Sequence, residues 1–279
     1  MIQKSYDGKP ILYLIPTPIG NMDDITYRAV KVLNEVEVIF AEDTRVTMKL
    51  LTHLGIKKKL FSSHLHNEYN NKEKLLDYLN KGYNIGLVSD RGTPVISDPG
   101  YELVLCAIEN GFNVVTLPGA TALIPALASS GLKSKHFMFY GFLDNRETKR
   151  KKELEELKNI KATIIFYEAP HRIKNTLINI YEIMGNRKIC ISREISKKFE
   201  EYIRGDIRDI INQINELKGE IVVLVGESNE TKKYDNLTII EHVNLYIKEG
   251  YKTNDAIKLV AKDRKTAKNN IYNEYHNIK

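Results

Sequence analysis

Short strings that combine carboxylates, guanidinium groups and backbone-shaping Gly and Pro recur along this chain, each directly after an apolar run. In AEDTR (41–45), two carboxylates and a guanidinium share one strand end. They either pair with one another, or Arg45 grips a phosphate while Glu42 or Asp43 accepts a proton. Residue chemistry leaves both open. VSDRGTPVISDPG (88–100) is more constrained, with two Asp, several Gly and Pro, and small hydroxyl side chains. Such a loop presents amides and carbonyls to a small ligand, with Asp90 accepting from a ribose or amino group of a bound nucleoside. Ligand binding explains its density of constraints better than a plain turn does.

Two further strings end strands in the same manner. PTPIGN (16–21) fixes an extended, tightly turned backbone able to pass close to a ligand, and Asp23 or Asp24 is the expected N-cap of the following helix. LPGATAL (117–123) opens a helix with Gly119 and Thr121, compatible with ligand contact or with simple capping. No GxGxxG occurs in the sequence, so the dinucleotide fingerprint is missing. SSHLHNE (62–68) adds His64 and His66 with no third ligand nearby, so it reads as loop polarity and no metal is expected. YEAPHR (167–172) closes a strand with an acid, a Pro at an expected helix start and a His-Arg pair. REISKKFEEYIRG (193–205) carries basic residues across a turn, where solvent exposure and RNA contact are equally good accounts.

These strings need strand ends to hold them. β-rich apolar runs lie at 11–15, 36–40, 85–88, 114–117, 137–140, 163–167, 188–192 and 221–225, and helical spacing fills most gaps between them. The alternation predicts an α/β chain with largely parallel sheets. Runs 189–195 and 199–204 flank Ser196, Lys197 and Lys198, which predicts an antiparallel hairpin and a mixed sheet in the second half. Polar residues at 131–135 suggest a boundary, giving an N-terminal α/β domain over 1–133 and a second α/β domain over 134–228. GESNETKKYDN (226–236) begins a linker and small helical module over 229–279.

Composition narrows the setting. Net charge is +6 over 279 residues, which modestly favours a polyanionic partner. Cys106 and Cys190 stand far apart without CxxC spacing, which argues against a disulfide framework or structural zinc and for a reducing compartment. The first apolar run is too short for a signal or a membrane span, so a cytoplasmic location without membrane partner is expected.

Taken in order, LYLIPTPIGNMDDITYRAVKVL, AEDTR, VSDRGTPVISDPGY, LPGATAL, YGFL, FYEAPHR and REISKKFEEYIRG resemble the motif series of the small-subunit ribosomal RNA methyltransferase I family, within the tetrapyrrole methylases. The resemblance spans residues 12 to about 226 and is weaker through the helical tail. It implies two unlike α/β domains of the class III methyltransferase type, S-adenosylmethionine in the cleft between them, and usually a homodimer. The implied reaction is 2′-O-methylation of a cytidine ribose in the decoding centre of 16S rRNA, in the small ribosomal subunit.

By match to that pattern the cofactor meets Pro16, Thr17, Pro18 and Gly20, then Asp90, Gly92 and Thr93, then Gly119, Ala120, Thr121 and Ala122, and finally Tyr167 and Glu168. Arg91, His66, Arg172, Arg193, Lys197 and Lys198 are expected toward the RNA, and Glu42, Asp43 and Arg45 toward catalysis. The chain departs from the family pattern at three sites: Arg91 stands where Ala is usual, Val46-Thr47-Met48 where His-Thr-Arg is usual, and Asp144 where Pro is common. A long cation thus enters the loop expected to line the cofactor, pointing either to RNA or to the cofactor carboxylate. Two rivals remain: a small-molecule methylase acting on a precorrin-type tetrapyrrole, and an RNA-binding ribosome assembly factor without catalysis.

Overall fold

The computed structural model describes residues 2–63, 68–214, 216–228, 237–264 and 266–276. Five strands form the first sheet: β1 (Ile11–Leu14), β2 (Val38–Ala41), β3 (Lys59–Ser62), β4 (Ile85–Val88) and β5 (Asn113–Thr116). They run parallel in the order β3-β2-β4-β1-β5. Helices α1 (Tyr27–Glu35), α2 (Thr44–His53), α3 (Glu68–Asn80), α4 (Tyr101–Glu109) and α5 (Leu123–Ser129) alternate with them along the chain. Successive strand residues serve opposite faces: Ile11, Tyr13 and Ile15 enter one core, Leu12 and Leu14 the other. Both faces are covered, which is why β1, β2 and β4 read as unbroken apolar runs.

The second sheet comprises β6 (Phe137–Phe142), β7 (Thr163–Glu168), β8 (Lys188–Arg193), β9 (Glu201–Asp206) and β10 (Ile221–Val225), in the order β6-β7-β10-β8-β9. Its strands connect through α6 (Glu147–Leu157), α7 (Ile173–Met184) and α8 (Ile207–Gln213). Only β6 and β7 are parallel; β10 runs antiparallel to both β7 and β8, and β8 to β9. Ile19, Ala126 and Leu127 share a buried cluster with Ile165, Cys190, Val222 and Leu224, so residues from both sheets' segments pack into one core.

Contacts divide the chain into two compact units, Met1–Glu227 and Ser228–Lys279. Within the second, α9 (Ile239–Lys248), α10 (Thr253–Asp263) and α11 (Lys268–Tyr275) enclose a core of Val243, Ile257, Val260 and Ile271. Thr238 and Glu241 form a reciprocal capping box at the start of α9. Among the described residues no helix is long and apolar enough to cross a membrane.

Three local expectations need correction. Neither Asp23 nor Asp24 caps α1: they sit in a 3₁₀ turn (Met22–Asp24) capped by Asn21, and the Thr26 hydroxyl accepts from the Ala29 amide at 3.0 Å instead. The turn after β8 is longer than three residues, since β9 starts at Glu201 and leaves Phe199 exposed. Pro170 does not open a helix; α7 begins at Ile173, after a turn closed by the Arg172 amide on the Ala169 carbonyl.

Candidate active site

Three loops leave the carboxyl ends of β1, β4 and β5 and are sewn together by backbone. The Thr17 amide donates to the Gly92 carbonyl at 2.9 Å and the Gly92 amide returns to the Thr17 carbonyl at 3.0 Å. The Thr17 hydroxyl also donates to the Ser89 carbonyl at 3.1 Å, and the Thr93 hydroxyl to the Ala120 carbonyl at 3.0 Å. A Cβ at position 119 would lie 2.6 Å from the Pro16 Cβ, so only glycine lets the turn after β5 rest on the proline. Between these ties the loop after β4 takes left-handed backbone at Gly92, Val95 and Ser97. For a β-branched residue such as Val95 that conformation costs about 1–3 kcal/mol, a strain held by its surroundings.

Beneath this loop lies a cavity of about 360 Å³, within the size range of small-molecule sites. Of the residues expected at the cofactor, Gly92, Thr93, Thr121, Ala122, Tyr167 and Glu168 line it. Gly119 and Ala120 line an adjoining cavity that shares Ile19, Thr121 and Ile195 with the first. Pro16 and Thr17 support the wall from behind, through Gly119 and Gly92 respectively. Pro18 and Gly20 belong to the same turn but line neither cavity. Asp90 points elsewhere: its Oδ1 accepts from the Asp43 amide at 2.9 Å, while its own amide donates to Glu42 Oε2 at 3.1 Å. The ends of β2 and β4 are thereby locked to each other.

Asp43 also caps α2, accepting from the Arg45 amide at 2.8 Å, and its carboxylate pairs with the guanidinium of Arg45, whose side chain is 86% exposed. Glu168 is buried and heavily engaged. It accepts from the Thr176 hydroxyl at 2.5 Å and the Ala169 amide at 2.8 Å, and pairs with Arg172 at 3.1 Å. Nη2 of Arg172 donates to the Leu143 carbonyl at 2.8 Å, so this guanidinium is turned into the protein.

The other basic residues surround the cavity mouth or lie beyond it. Arg91 pairs with Glu220, which precedes β10 and also lines the cavity. Lys197 pairs with Glu194 at 2.8 Å and with Glu220 at 3.0 Å. Arg193 pairs with Glu201. Lys198 lies over the exposed ring of Phe199, 5.7 Å from its centroid. His66, with His64, lies outside the described residues. Of the three sites that depart from the family pattern, Asp144 has a clear local role: it accepts from the Arg146 amide at 2.8 Å, and its hydrogen bonds with Arg146 hold its carboxyl down to about 2.

Asp98 stands in the same loop as Asp90, and nothing in its local sequence sets it apart from that residue. It lines the cavity, and its carboxyl is pushed up to about 6, first by burial and then by the charge of Glu42, against a hydrogen bond from Ser89. Tyr167 stands near it with its phenol raised by burial and hydrogen-bonded to Thr121. Ile195, Glu220, Ile221 and Val222 also line the cavity. The hairpin and the antiparallel β10 bring them there; Ile195 lies within the REISKKFEEYIRG string, but no local motif marks Glu220, Ile221 or Val222.

A wall part apolar and part hydrogen-bonding, at the carboxyl ends of parallel strands, suits a nucleoside carrying a charged tail. The pattern of the family described as "Tetrapyrrole (Corrin/Porphyrin) Methylases" matches residues 11–211. The chain belongs to that family. Tetrapyrrole methylases use S-adenosylmethionine as methyl donor. Among relatives, the "Ribosomal RNA small subunit methyltransferase I" of Halalkalibacterium halodurans is 46% identical and that of Bacillus subtilis 47%, each over 98% of both chains. This tetrapyrrole methylase also shares its fold with distant solved structures. The methyltransferase CobJ superposes with TM-score 0.59 at 20% identity, covering 79% of this chain and 95% of that one. Uroporphyrin-III C-methyltransferase from Thermus thermophilus, crystallised with S-adenosylhomocysteine, gives 0.54 at 17%, covering 78% and 97%.

Proposed function

We propose that this chain methylates the ribose 2′-oxygen of a cytidine in the decoding centre of 16S rRNA, using S-adenosylmethionine bound in the cavity beneath the 89–100 loop. The observation that carries the reading is whole-length likeness to proteins named for methylation of small-subunit ribosomal RNA, at 46–47% identity over 98% of the chain. The seven ordered motifs support the finer assignment to a cytidine 2′-oxygen. Residues of the three sewn loops, with Tyr167 and Glu168, would hold the donor.

The donor supplies an activated methyl group on a sulfonium centre. The protein's part is to hold the acceptor oxygen in line and to take up its proton. Glu42 or Asp43 assists that proton in this reading, and Arg45, being exposed, positions the RNA backbone. Lys198 and the exposed Phe199 offer a cation beside a stacking surface, a pairing suited to single-stranded RNA. A cytoplasmic homodimer acting on the small subunit completes the proposal.

Ribose methylation mapped in ribosomes from a deletion strain tests it. One cytidine of 16S rRNA should lose its 2′-O-methyl group, and the purified chain with S-adenosylmethionine should restore it on small subunits. Unchanged ribose methylation, or transfer to a precorrin in place of RNA, would sink the reading.

A further inference from the structure

The cavity wall carries a carboxylate without a counter-ion. Among the described residues, the cations nearest the mouth and wall are engaged: Arg91 with Glu220, Lys197 with Glu194 and Glu220, Arg172 with Glu168. Among the described residues, no Lys, Arg or His forms an ion pair with Asp98. The charged or titratable groups that face it are Glu42 from the end of β2, Asp90 from the end of β4 and Tyr167 from β7. Arg91, Glu168 and Glu220 share the cavity wall. A partly buried carboxylate beside two others is poorly solvated and repelled, and a ligand that brings positive charge removes both penalties. S-adenosylmethionine carries two such charges, its sulfonium and its α-ammonium.

We propose that Asp98 is the counter-ion that receives the positive charge of the methyl donor. The inference rests on the reading of this cavity as the donor site. It deepens that reading by naming the residue that recognises charge rather than shape. Donor binding and ionisation of Asp98 are then linked, because a cation alongside favours the charged carboxylate. Near pH 6 the free protein holds the proton on about half of its molecules, and binding expels it.

Calorimetry of S-adenosylmethionine binding to the full chain, in two buffers of different ionisation enthalpy between pH 5 and 8, reads this directly. Proton release of up to about half a proton is expected near pH 6, fading by pH 8. Asp98→Asn should abolish the release and weaken donor binding at pH 8 by ~10-fold or more. S-adenosylhomocysteine separates the two charges: release with the donor alone assigns the sulfonium, and release with both ligands assigns the ammonium. Binding without proton release, or release that survives Asp98→Asn, overturns the proposal. Should that variant fail to fold, Glu42→Gln provides the check. It removes a neighbouring charge and should move the release maximum to lower pH; an unmoved maximum counts against Asp98. No binding of the donor by the wild-type chain at any pH overturns the cavity reading itself, and this inference with it.

Discussion

Asp98 illustrates what a residue gains from its place in the fold. The sequence presents an Asp two residues before a Gly, indistinguishable from Asp90 eight positions earlier. In the structure one is spent on the Asp43 amide and the other faces the cavity. The difference arises first from burial of Asp98 and then from the charge of Glu42, at the end of a different strand, and both are long-range effects that no local motif encodes. A stability consequence follows. The folded-state pKa of about 6 lies above the ordinary 3.8, so the folded protein holds this proton more tightly than the unfolded chain. The resulting stabilisation is complete below about pH 4 and is lost as pH rises through 6. Asp98→Asn removes that loss: with the carboxyl only partly buried and its charge partly screened by solvent, the variant should exceed the wild type by about 1 kcal/mol at pH 8 and show a much smaller advantage at pH 4.5. Urea titrations at the two pH values check it. An equal gain at both would mean that the carboxamide improves packing and that ionisation is not the cause.

Elements were largely legible where they are buried. The eight apolar runs correspond to strands because central parallel strands and the two-faced second sheet demand continuous apolar sequence. β3 escaped notice: Lys59–Ser62 is a four-residue edge strand, with Lys59 exposed and the rest only half-buried, so it lacks that signature. Helix starts were less legible, since Asn21 and Thr26 outcompete two nearby Asp residues that are equally good caps on paper. The junction of β7 with α7 depends on a device that sequence hints at only as an acid and an arginine four residues apart. Glu168 anchors the Thr176 hydroxyl and the Arg172 guanidinium, and thereby fixes Ala169 and Pro170 at the cavity wall. Glu168→Ala leaves a largely buried guanidinium without its partner, and a loss of about 2–4 kcal/mol in unfolding free energy is expected. A loss below about 0.5 kcal/mol, the range of ordinary surface substitutions, would show that the junction is held by apolar packing alone.

At the scale of the whole molecule, the division of labour is written in where the cavity and the charge lie. Every lining residue of the 360 Å³ cavity belongs to the 1–227 unit, whose sheets have cores of their own. Residues 230–279 carry ten Lys and Arg against seven Asp and Glu, half of the chain's net charge of +6. The second unit has a separate small core and a capping box that starts its first helix. A chain ending at Glu227 should therefore fold and keep its affinity for S-adenosylmethionine within about twofold, because removing a charge excess outside the cavity leaves its contacts intact. Its binding to small-subunit RNA should weaken and depend less steeply on salt, since fewer phosphate counter-ions are released when basic residues are removed. Calorimetry with the donor and filter binding across a salt series measure the two effects separately. If donor affinity collapses while the truncated chain keeps its fold by circular dichroism, the cavity depends on the second unit and the division is not the functional one. If donor affinity holds and the salt slope is unchanged, the basic excess of the helical unit is a solvated surface, and RNA recognition resides in the first unit, with Lys198, Phe199 and Arg45 the residues to substitute next.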